Sequence, residues 1–406
     1  MRKMKDSGIE WIGEIPEGWE LIKAKYLFSQ RNEKGNSTLV LLSPTQKYGV
    51  IPQSQLEGVV QVKETTDLRA FKTIHIGDFV ISLRSFQGGF EFSNYEGVCS
   101  PAYQVFHATK DLSNDFFRYL FKSDGFISKI NSLTVGIREG KNIQYWDFSN
   151  MLLAVPPKEI QIRSAQYLNA KCTEIDTMLS KTRSSIEEYK KLKQAVITQA
   201  VATQQCSHIK LKYLMNVIVD CPHETPTYSF TGNYYVIRTA DQALASLRRD
   251  EDMYRLDASE YKKRTRRLTL DKDDIVYGRE GERWGLACIV PESNKYCLGQ
   301  RIMQFRCNTK FLYPKYAMYA LNSEPVYLQG VADTIGSTSP HVNISTICNY
   351  LLPVPALSEQ KEIANYLDAK CAEIDKLIAK KEQLVKELES YKKSLIYEVV
   401  TGKREV

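Results

Sequence analysis

Two stretches of the chain carry apolar residues that step alternately by four and three positions. One stretch starts at Leu168 and ends at Ala200, and the other starts at Leu367 and ends at Val399. This alternation is the a/d signature of a coiled-coil seam. Each seam spans about 32 residues and so predicts a helix on the order of 50 Å long, at about 1.5 Å per residue.

The boundaries of the second helix can also be predicted. Pro353 and Pro355 exclude helical backbone upstream of the seam, and Ser358 is typical of a helix start. Gly402 is typical of a residue that ends a helix. The second helix is therefore expected to begin near Ser358 and to end before Gly402.

Both seams belong to a long internal repeat. Residues 152–202 and 351–401 align without a gap, at a constant offset of about 200 residues. Because solenoid repeats are only roughly 20–50 residues long, this offset indicates a duplicated domain pair. The chain is predicted to alternate globular modules with helical segments, at residues 1–150, 151–205, 206–350 and 351–406.

A seam of this length needs a long apolar partner, and the other helix is the nearest candidate. We therefore expect an antiparallel pair of helices that holds the two modules at opposite ends. The alternative is that each helix packs only on its own module. Lys381 and Lys392 place charge in the seam, and such positions are typical of register-fixing or partner-binding contacts.

The modules themselves are predicted to be mixed α/β with short strands. Strands are expected at residues 79–83, 103–106, 275–277 and 302–305, and helices at 115–121 and 316–321. Between these anchors the two modules differ almost everywhere, which suits two related recognition surfaces with different targets. The predicted fold class is α+β: two mixed α/β domains are separated by two long helices that form an antiparallel coiled coil, with a pseudo-twofold internal repeat.

The composition is that of an ordinary globular protein. Of 406 residues, 43% are hydrophobic and 25% are charged, and this length is sufficient for two sizeable cores. No segment predicts a membrane helix or a signal peptide. Nine cysteines are scattered singly without a CxxC pair, which indicates reduced thiols and a cytoplasmic protein.

Cationic residues are concentrated in the second module, although the net charge is only +7. Arg248, Arg249 and residues 262–267 form the densest clusters. Clustered cations neutralise phosphates, which favours a nucleic-acid partner; the alternative is a solvated surface. Arg266 and Arg267 are predicted to contact phosphate rather than bases, because runs of charge position a protein on DNA without discriminating sequence.

Four passages, in the right order along the chain, resemble the specificity subunit of type I restriction–modification enzymes. They are Gly8 to Trp19, Thr334 to Ile344, Gln360 to Asp368, and Val400 to Lys403. The resemblance covers the whole length and the order of the modules. It implies two target-recognition domains, each of which binds one half of a split sequence in double-stranded DNA.

The same resemblance implies the partners and the absence of catalysis. The paired helices would act as a ruler for the unread spacer and as the platform for two modification (methyltransferase) subunits. Restriction and translocase subunits would join for cleavage in a phage-defence complex. The chain itself would be no enzyme and would need no cofactor, and it would serve DNA methylation only through its partners.

A glycine-rich loop that follows a strand in the second module provides the first candidate DNA contacts. Arg279 and Arg283 can pair with guanine, Glu280 can accept from the cytosine amine, and Trp284 can pack on a sugar or base. The alternative is a loop with internal salt bridges and one half-buried tryptophan. At the equivalent place in the first module, Arg84, Ser85 and Gln87 offer similar chemistry.

Two polar turns near the ends of the modules provide further candidates. Arg138 and Lys141 lie in the first turn, and Ser337, Thr338 and His341 lie in the second. Short polar side chains in such turns suit contacts to phosphate or to base edges. His341 is expected either to touch DNA or to cap the turn.

Other chemistry is weakly supported by the sequence. Glu139 and Lys141 are a fragment of a nuclease core without a placeable aspartate, and Cys221 and His223 lack a second ligand pair at zinc spacing. No phosphate-binding G-x-x-x-x-G-K-[ST] loop occurs. The alternatives to a DNA-recognition subunit are an enzyme with an unrecognised motif, a coiled-coil scaffold for two protein-binding modules, and a recognition subunit of a related system without a motor subunit.

Overall fold

The computed structural model of this chain describes residues 2–34, 39–56, 68–82, 89–133, 143–202, 206–334 and 340–406. Short strands and helices make up both modules. The strands of the first module are β1 (Met4–Asp6), β2 (Glu14–Pro16), β3 (Glu20–Lys23), β4 (Phe28–Arg31), β5 (Leu42–Thr45), β6 (Gly49–Pro52), β7 (Lys72–Ile74), β8 (Phe79–Ile81), β9 (Phe90–Phe92), β10 (Gly97–Cys99), β11 (Gln104–Ala108) and β12 (Leu152–Val155). Its helices are α1 (Asn114–Phe121), α2 (Asp124–Leu133) and α3 (Tyr145–Ser149), and the long helix α4 (Lys158–Val201) follows.

The second half of the chain is also made of short strands and helices followed by one long helix. Its strands are β13 (Ser207–Lys210), β14 (Met215–Asp220), β15 (Tyr234–Ile237), β16 (Gln242–Ala243), β17 (Ser246–Leu247), β18 (Arg255–Leu256), β19 (Ile275–Gly278), β20 (Ala287–Ile289), β21 (Tyr296–Leu298), β22 (Ile302–Cys307) and β23 (Leu351–Val354). Its helices are α5 (Leu211–Leu214), α6 (Ala258–Arg264), α7 (Pro314–Leu321), α8 (Glu324–Val331), α9 (Ile344–Cys348) and the long helix α10 (Leu357–Val400). Single 3-10 turns lie at Ala24–Tyr26, Gln53–Gln55, Leu68–Ala70, Thr239–Asp241 and Asp250–Asp252.

The chain divides into two compact units, and each unit contains parts of both long helices. The first unit comprises residues 1–182 and 384–406, and the second comprises residues 183–383. Each unit therefore combines one module with part of α4 and part of α10. The four-segment division given above remains a prediction about the order of domains along the chain.

Each unit contains its own four-stranded sheet, and the two sheets have equivalent strand orders. In the first unit the strand order is β4-β11-β8-β9, and in the second it is β14-β22-β19-β20, antiparallel throughout. A second ladder, β3 with β12 or β13 with β23, precedes each long helix. The predicted strands at 79–83, 103–106, 275–277 and 302–305 are confirmed within a few residues, as are the helices at 115–121 and 316–321.

Each core combines module side chains with the seam of the long helices. In the first unit, Phe28 lies at the centre of a group of phenylalanine rings whose cluster also holds Leu168 of α4 and Leu395 of α10. In the second unit, Ile197 of α4 and Leu367 of α10 pack into the module core. The seam residues are therefore buried partly by the helix partner and partly by a module.

Within each unit the two long helices run antiparallel. In the second unit, Lys193 pairs with Asp375, and the Lys381 ammonium lies 5.7 Å from the centroid of the Tyr189 ring. In the first unit, Lys392 pairs with Asp176 at 2.7 Å. The predicted pairing of the helices is confirmed, and two of the charged seam positions lie in interhelical ion pairs.

Both helices are longer than the seams predicted. Each has 44 residues, or about 66 Å at about 1.5 Å per residue. The additional first turns bind the module: the Gln161 side chain accepts from the backbone N–H of Ser113 at 2.8 Å, and the Gln360 side chain accepts from Tyr313 at 2.8 Å. The heptad pattern does not mark these turns, but the predicted bounds of the second helix, from near Ser358 to before Gly402, are confirmed.

A turn with the same hydrogen bonding precedes β8 in the first unit and the equivalent strand β19 in the second. A buried aspartate, Asp78 or Asp274, accepts from the backbone N–H three residues before it, at 2.9 and 2.8 Å. Each carboxylate is held by two hydrogen bonds from one arginine, but Arg31 lies on β4 whereas Arg306 lies on β22. The buried aspartate is thus common to both units, but the arginine that binds it lies on a different strand in each unit.

Candidate nucleic-acid interface

The loop after β19 is closed tightly by backbone hydrogen bonds. Gly285 N–H donates to Gly278 O at 2.8 Å, and Gly278 N–H donates to Leu286 O at 2.9 Å. A Cβ at Gly278 would lie 2.8 Å from Arg283 O, so glycine is needed there. The closed loop fixes the directions in which its predicted DNA-contacting side chains can point.

Arg279 and Glu280 form a charged group with residues from other parts of the chain. Arg279 is only 8% exposed; its Nε lies 3.5 Å from Asp220 Oδ1 at the end of β14, and its Nη2 lies 2.6 Å from Glu280 Oε1. The other Glu280 oxygen lies 3.8 Å from Nε of Arg301, whose side chain is 53% exposed. Arg301 is therefore the accessible cation of this group, and Glu280 is its partly exposed acceptor.

His341 joins the same group through the backbone. Glu280 and His341 form an isolated antiparallel bridge, and Gly281 N–H donates to Pro340 O at 2.9 Å. The structure thus brings together two predicted segments that are about sixty residues apart in sequence. Ser337 and Thr338, predicted in the same turn, lie outside the described residues.

Arg283 and Trp284 make contacts within the protein. Arg283 donates from Nη1 to Ala240 O at 2.9 Å and to Gln242 O at 3.0 Å. Trp284 is 8% exposed and stacks on Tyr327, with the ring centroids 4.4 Å apart. These contacts favour the alternative of an internally bonded loop, and Trp284 is more buried than that alternative expects. DNA contact by these two residues remains a prediction.

The basic run 262–267 divides into buried and exposed cations. Arg264 is buried and donates to the carbonyl oxygens of Leu298, Glu224 and Pro222, which ties the segment after β14 to α6. Arg266 and Arg267 are exposed and line a cavity of about 200 Å³. The predicted phosphate contacts are thus accessible, whereas Arg264 has a structural role that the charge pattern does not reveal.

The other titratable side chains around this cavity are paired with neighbouring side chains. Lys263 pairs with Glu224 at 2.7 Å, and this hydrogen bond lowers the pKa of Glu224 and raises the pKa of Lys263. His223 Nε2 lies 3.0 Å from Asp220 Oδ2. Cys221 is buried, and among the described residues no group of three or more His, Cys, Asp or Glu side chains could hold a metal ion.

In the first module the predicted contacts lie outside the described residues. These are Arg84, Ser85, Gln87, Arg138 and Lys141. The base of the loop that holds the first three is described, however: Ser82 N–H donates to Gly89 O at 2.8 Å, directly after β8. Both modules therefore close a loop by backbone hydrogen bonds at an equivalent position, directly after β8 in the first module and after β19 in the second.

Two members of the charged group, Asp220 and Arg301, are not among the residues that the sequence predicts to contact DNA. Asp220 precedes the segment that was considered only for metal binding, and Arg301 lies in the turn between β21 and β22 with φ of +67°. Neither position carries a motif. The long-range pairing of β22 with β19 brings Arg301 to Arg279 and Glu280, and the pairing of β22 with β14 brings Asp220 there.

Sequence comparisons connect the second module to a known family. A family model described as the type I restriction modification DNA specificity domain matches residues 221–387. The type I restriction enzyme EcoBI specificity subunit of Escherichia coli is 29% identical over 132 residues, which are 32% of this chain and 27% of that protein. The chain therefore matches about a quarter of the length of that relative.

A second relative is similar over nearly the whole length. The type I restriction enzyme MjaVIII specificity subunit of Methanocaldococcus jannaschii is 22% identical over 428 aligned positions, covering 96% of this chain and 93% of that protein. This match extends the similarity to the first module and to both long helices.

Two solved structures share the fold at 15% sequence identity. A chain from a study of complex assembly and conformational transition of the type I R-M system has a TM-score of 0.72 and covers 96% of this chain and 99% of its own length. The HsdS subunit from Thermoanaerobacter tengcongensis has a TM-score of 0.52 and covers 96% and 98%. The predicted arrangement of mixed modules and paired long helices is thereby confirmed as a known fold.

Proposed function

We propose that this chain is a specificity subunit of a type I restriction–modification system and that it recognises a split DNA sequence for catalytic partners. Each module would bind one half of the target. The predicted non-catalytic role agrees with the two relatives described above, which are both specificity subunits. Among the described residues, no helix has the length and apolarity needed to span a membrane.

The observation that carries this proposal is a repeated framework with different loops. The ion pairs Lys193–Asp375 and Lys392–Asp176 correspond to one another at an offset of 199 residues, as do the buried Gln161 and Gln360. Between these fixed points the module sequences differ. A constant frame with variable loops suits two binding surfaces that read different sequences.

In the second module the proposal assigns two kinds of DNA contact. Arg266 and Arg267 would bind backbone phosphates, which supply affinity without sequence information. Glu280 and Arg301, at the edge of the charged group, would face base edges, where carboxylate accepts from cytosine and guanidinium donates to guanine. Arg279 is nearly buried and would hold Glu280 in place.

The paired helices would set the unread spacer. At about 66 Å each, they are long relative to one DNA turn of roughly 34–36 Å. Their outer faces would also dock two methyltransferase subunits, with restriction and translocase subunits in the complete cytoplasmic complex. A scaffold for two protein-binding modules would use the same helices but would bind no DNA.

A methylome of the host with and without this chain tests the proposal. We expect adenine methylation to disappear at one motif made of two parts separated by unread bases. Replacement of residues 206–350 by the second module of another family member should then change one half of that motif. A change in both halves would contradict modular reading, and an unchanged methylome together with no salt-dependent DNA binding would favour the scaffold.

A further inference from the structure

Phe230 of the second module is fully exposed to solvent. Beside it, Tyr228 and Tyr254 are 43% and 49% exposed, and all three line a cleft of about 530 Å³ together with Met253 and Arg255. Single exposed apolar side chains are common on proteins, but an exposed aromatic group of this kind is typical of a binding surface.

The segment that carries Phe230 is fixed on both sides. Ser229 N–H donates to Arg255 O at 2.9 Å and forms a bridge with that residue. On the other side, Gly232 approaches β18 so closely that a Cβ would lie 2.1 Å from Leu256 O. Phe230 is therefore presented to solvent by a pinned turn.

The neighbouring tyrosines rest on a fixed cation. Tyr228 and Tyr254 meet edge to face at 4.6 Å, and the Arg238 guanidinium lies 3.8 Å from the centroid of the Tyr254 ring. Two hydrogen bonds of 2.9 Å hold Arg238 to the buried Asp241. Such a supported aromatic group resists rearrangement when a partner presses on it.

The same segment begins at the cationic cavity. Arg264 holds the carbonyl oxygens of Pro222 and Glu224 on the wall that Arg266 and Arg267 also line. Cations therefore lie at one end of the segment and exposed aromatic rings at the other. A partner that offers both phosphates and flat apolar faces matches this arrangement, and duplex DNA has that chemistry.

We propose that Phe230 is an apolar wedge that presses into a base step of the DNA target while the adjacent cationic cavity holds a backbone phosphate. The inference rests on the proposed function. A wedge of this kind kinks the duplex, so the second module would recognise how easily its half-site deforms, as well as its base edges.

The test measures DNA bending and affinity with the full chain. A duplex is first selected by the unaltered chain from a random pool, and dyes at its two ends then report bending by energy transfer. We expect Phe230→Ala to lose most of the bend and to weaken binding by about tenfold or more, as expected when the burial of a phenylalanine is lost. Phe230→Trp should keep both.

Phe311→Ala is the matched control, because Phe311 is also exposed (55%) in this module but is absent from the cleft. It should leave bending and affinity unchanged. An unbent duplex with the unaltered chain, or equal bending by Phe230→Ala, would overturn the wedge. Loss of methyltransferase binding with unchanged bending would instead make the cleft a protein-docking surface. If the unaltered chain selects no duplex, the proposed function fails first.

Discussion

The Lys193 ammonium of α4 donates to both carboxylate oxygens of Asp375 on α10, at 2.9 and 2.8 Å. It also donates to Leu244 O at 2.9 Å, so this contact fixes the helix pair and the second module together. Lys392 and Asp176 repeat the ion pair in the first unit. The two pairs differ in burial: the Lys193 side chain is 6% exposed and the Lys392 side chain 28%.

This difference in burial predicts unequal stability effects. Asp375→Ala leaves a buried ammonium without its carboxylate and should lower the free energy of unfolding by about 1–3 kcal/mol. Asp176→Ala, which frees a more exposed lysine, should cost less than about 1 kcal/mol. Urea unfolding followed by circular dichroism measures both. Equal losses would show that burial of the lysine does not control the energy of the pair.

The exposed arginines of the cationic cavity should govern the salt dependence of DNA binding. Replacing both Arg266 and Arg267 by alanine removes two phosphate contacts, so the slope of log affinity against log salt should fall by about 1.8. The loss should be the same for target and unrelated duplexes, as anisotropy titrations at several salt concentrations would reveal. A loss confined to the target sequence would instead assign these arginines to bases.

Glu280 should control sequence choice rather than general affinity. Glu280→Gln removes the charged acceptor but keeps the shape, and we expect relaxed selection at one position of the second half-site, worth about 1–3 kcal/mol. Selection from a random duplex pool measures this. Arg283→Ala serves as the comparison: it should keep the selected sequence, because Arg283 bonds to backbone carbonyl oxygens.

Trp284 should matter for stability. Trp284→Ala removes a buried ring from its stack on Tyr327 and should lower the free energy of unfolding by about 3–5 kcal/mol. Trp284→Phe should recover much of that loss. If thermal unfolding of Trp284→Ala is normal while DNA selection changes, the tryptophan contacts DNA after all.

The helices should tolerate only matched lengthening. A heptad inserted between Ile186 and Tyr189 together with one between Val385 and Leu388 keeps both interhelical ion pairs in register. The helices gain about 10 Å each, and the unread spacer should grow by about three base pairs. A heptad in one helix alone should abolish activity. The methylome measures the spacer, and an unchanged spacer in the double insertion would refute the ruler.

The heptad pattern and the duplication were sufficient to predict the paired helices, because both are visible in the sequence without knowledge of the fold. The start of α10 was also predictable, from Pro353, Pro355 and Ser358. The first turns of α4 were not, since Gln161 carries no hydrophobic period and binds module backbone. The same limit applies to the candidate site. The loop with Arg279 and Glu280 was found from its glycines, whereas Asp220 and Arg301 join it only through strand pairing between distant segments.

The run of cations illustrates a second limit. Arg264 and Arg266 are two residues apart and chemically identical, yet one is buried against three carbonyl oxygens and the other lines an open cavity. The position on α6 decides this, because that helix ends at Arg264 and the following residues leave its axis. Charge density therefore indicates a surface, and the fold selects which of its members face outward.

The buried acids Asp78 and Asp274 impose an asymmetry on genetic crossovers inside a module. A hybrid with the first sheet strand of module one and the rest of module two would inherit both Arg31 and Arg306. The reciprocal hybrid would inherit neither, because Val219 occupies the place of Arg31, and its acid would be left buried and uncompensated. Gene exchange at module boundaries should therefore be tolerated. Exchange between the strands of a module should destabilise the protein, and more so in the hybrid that lacks both arginines.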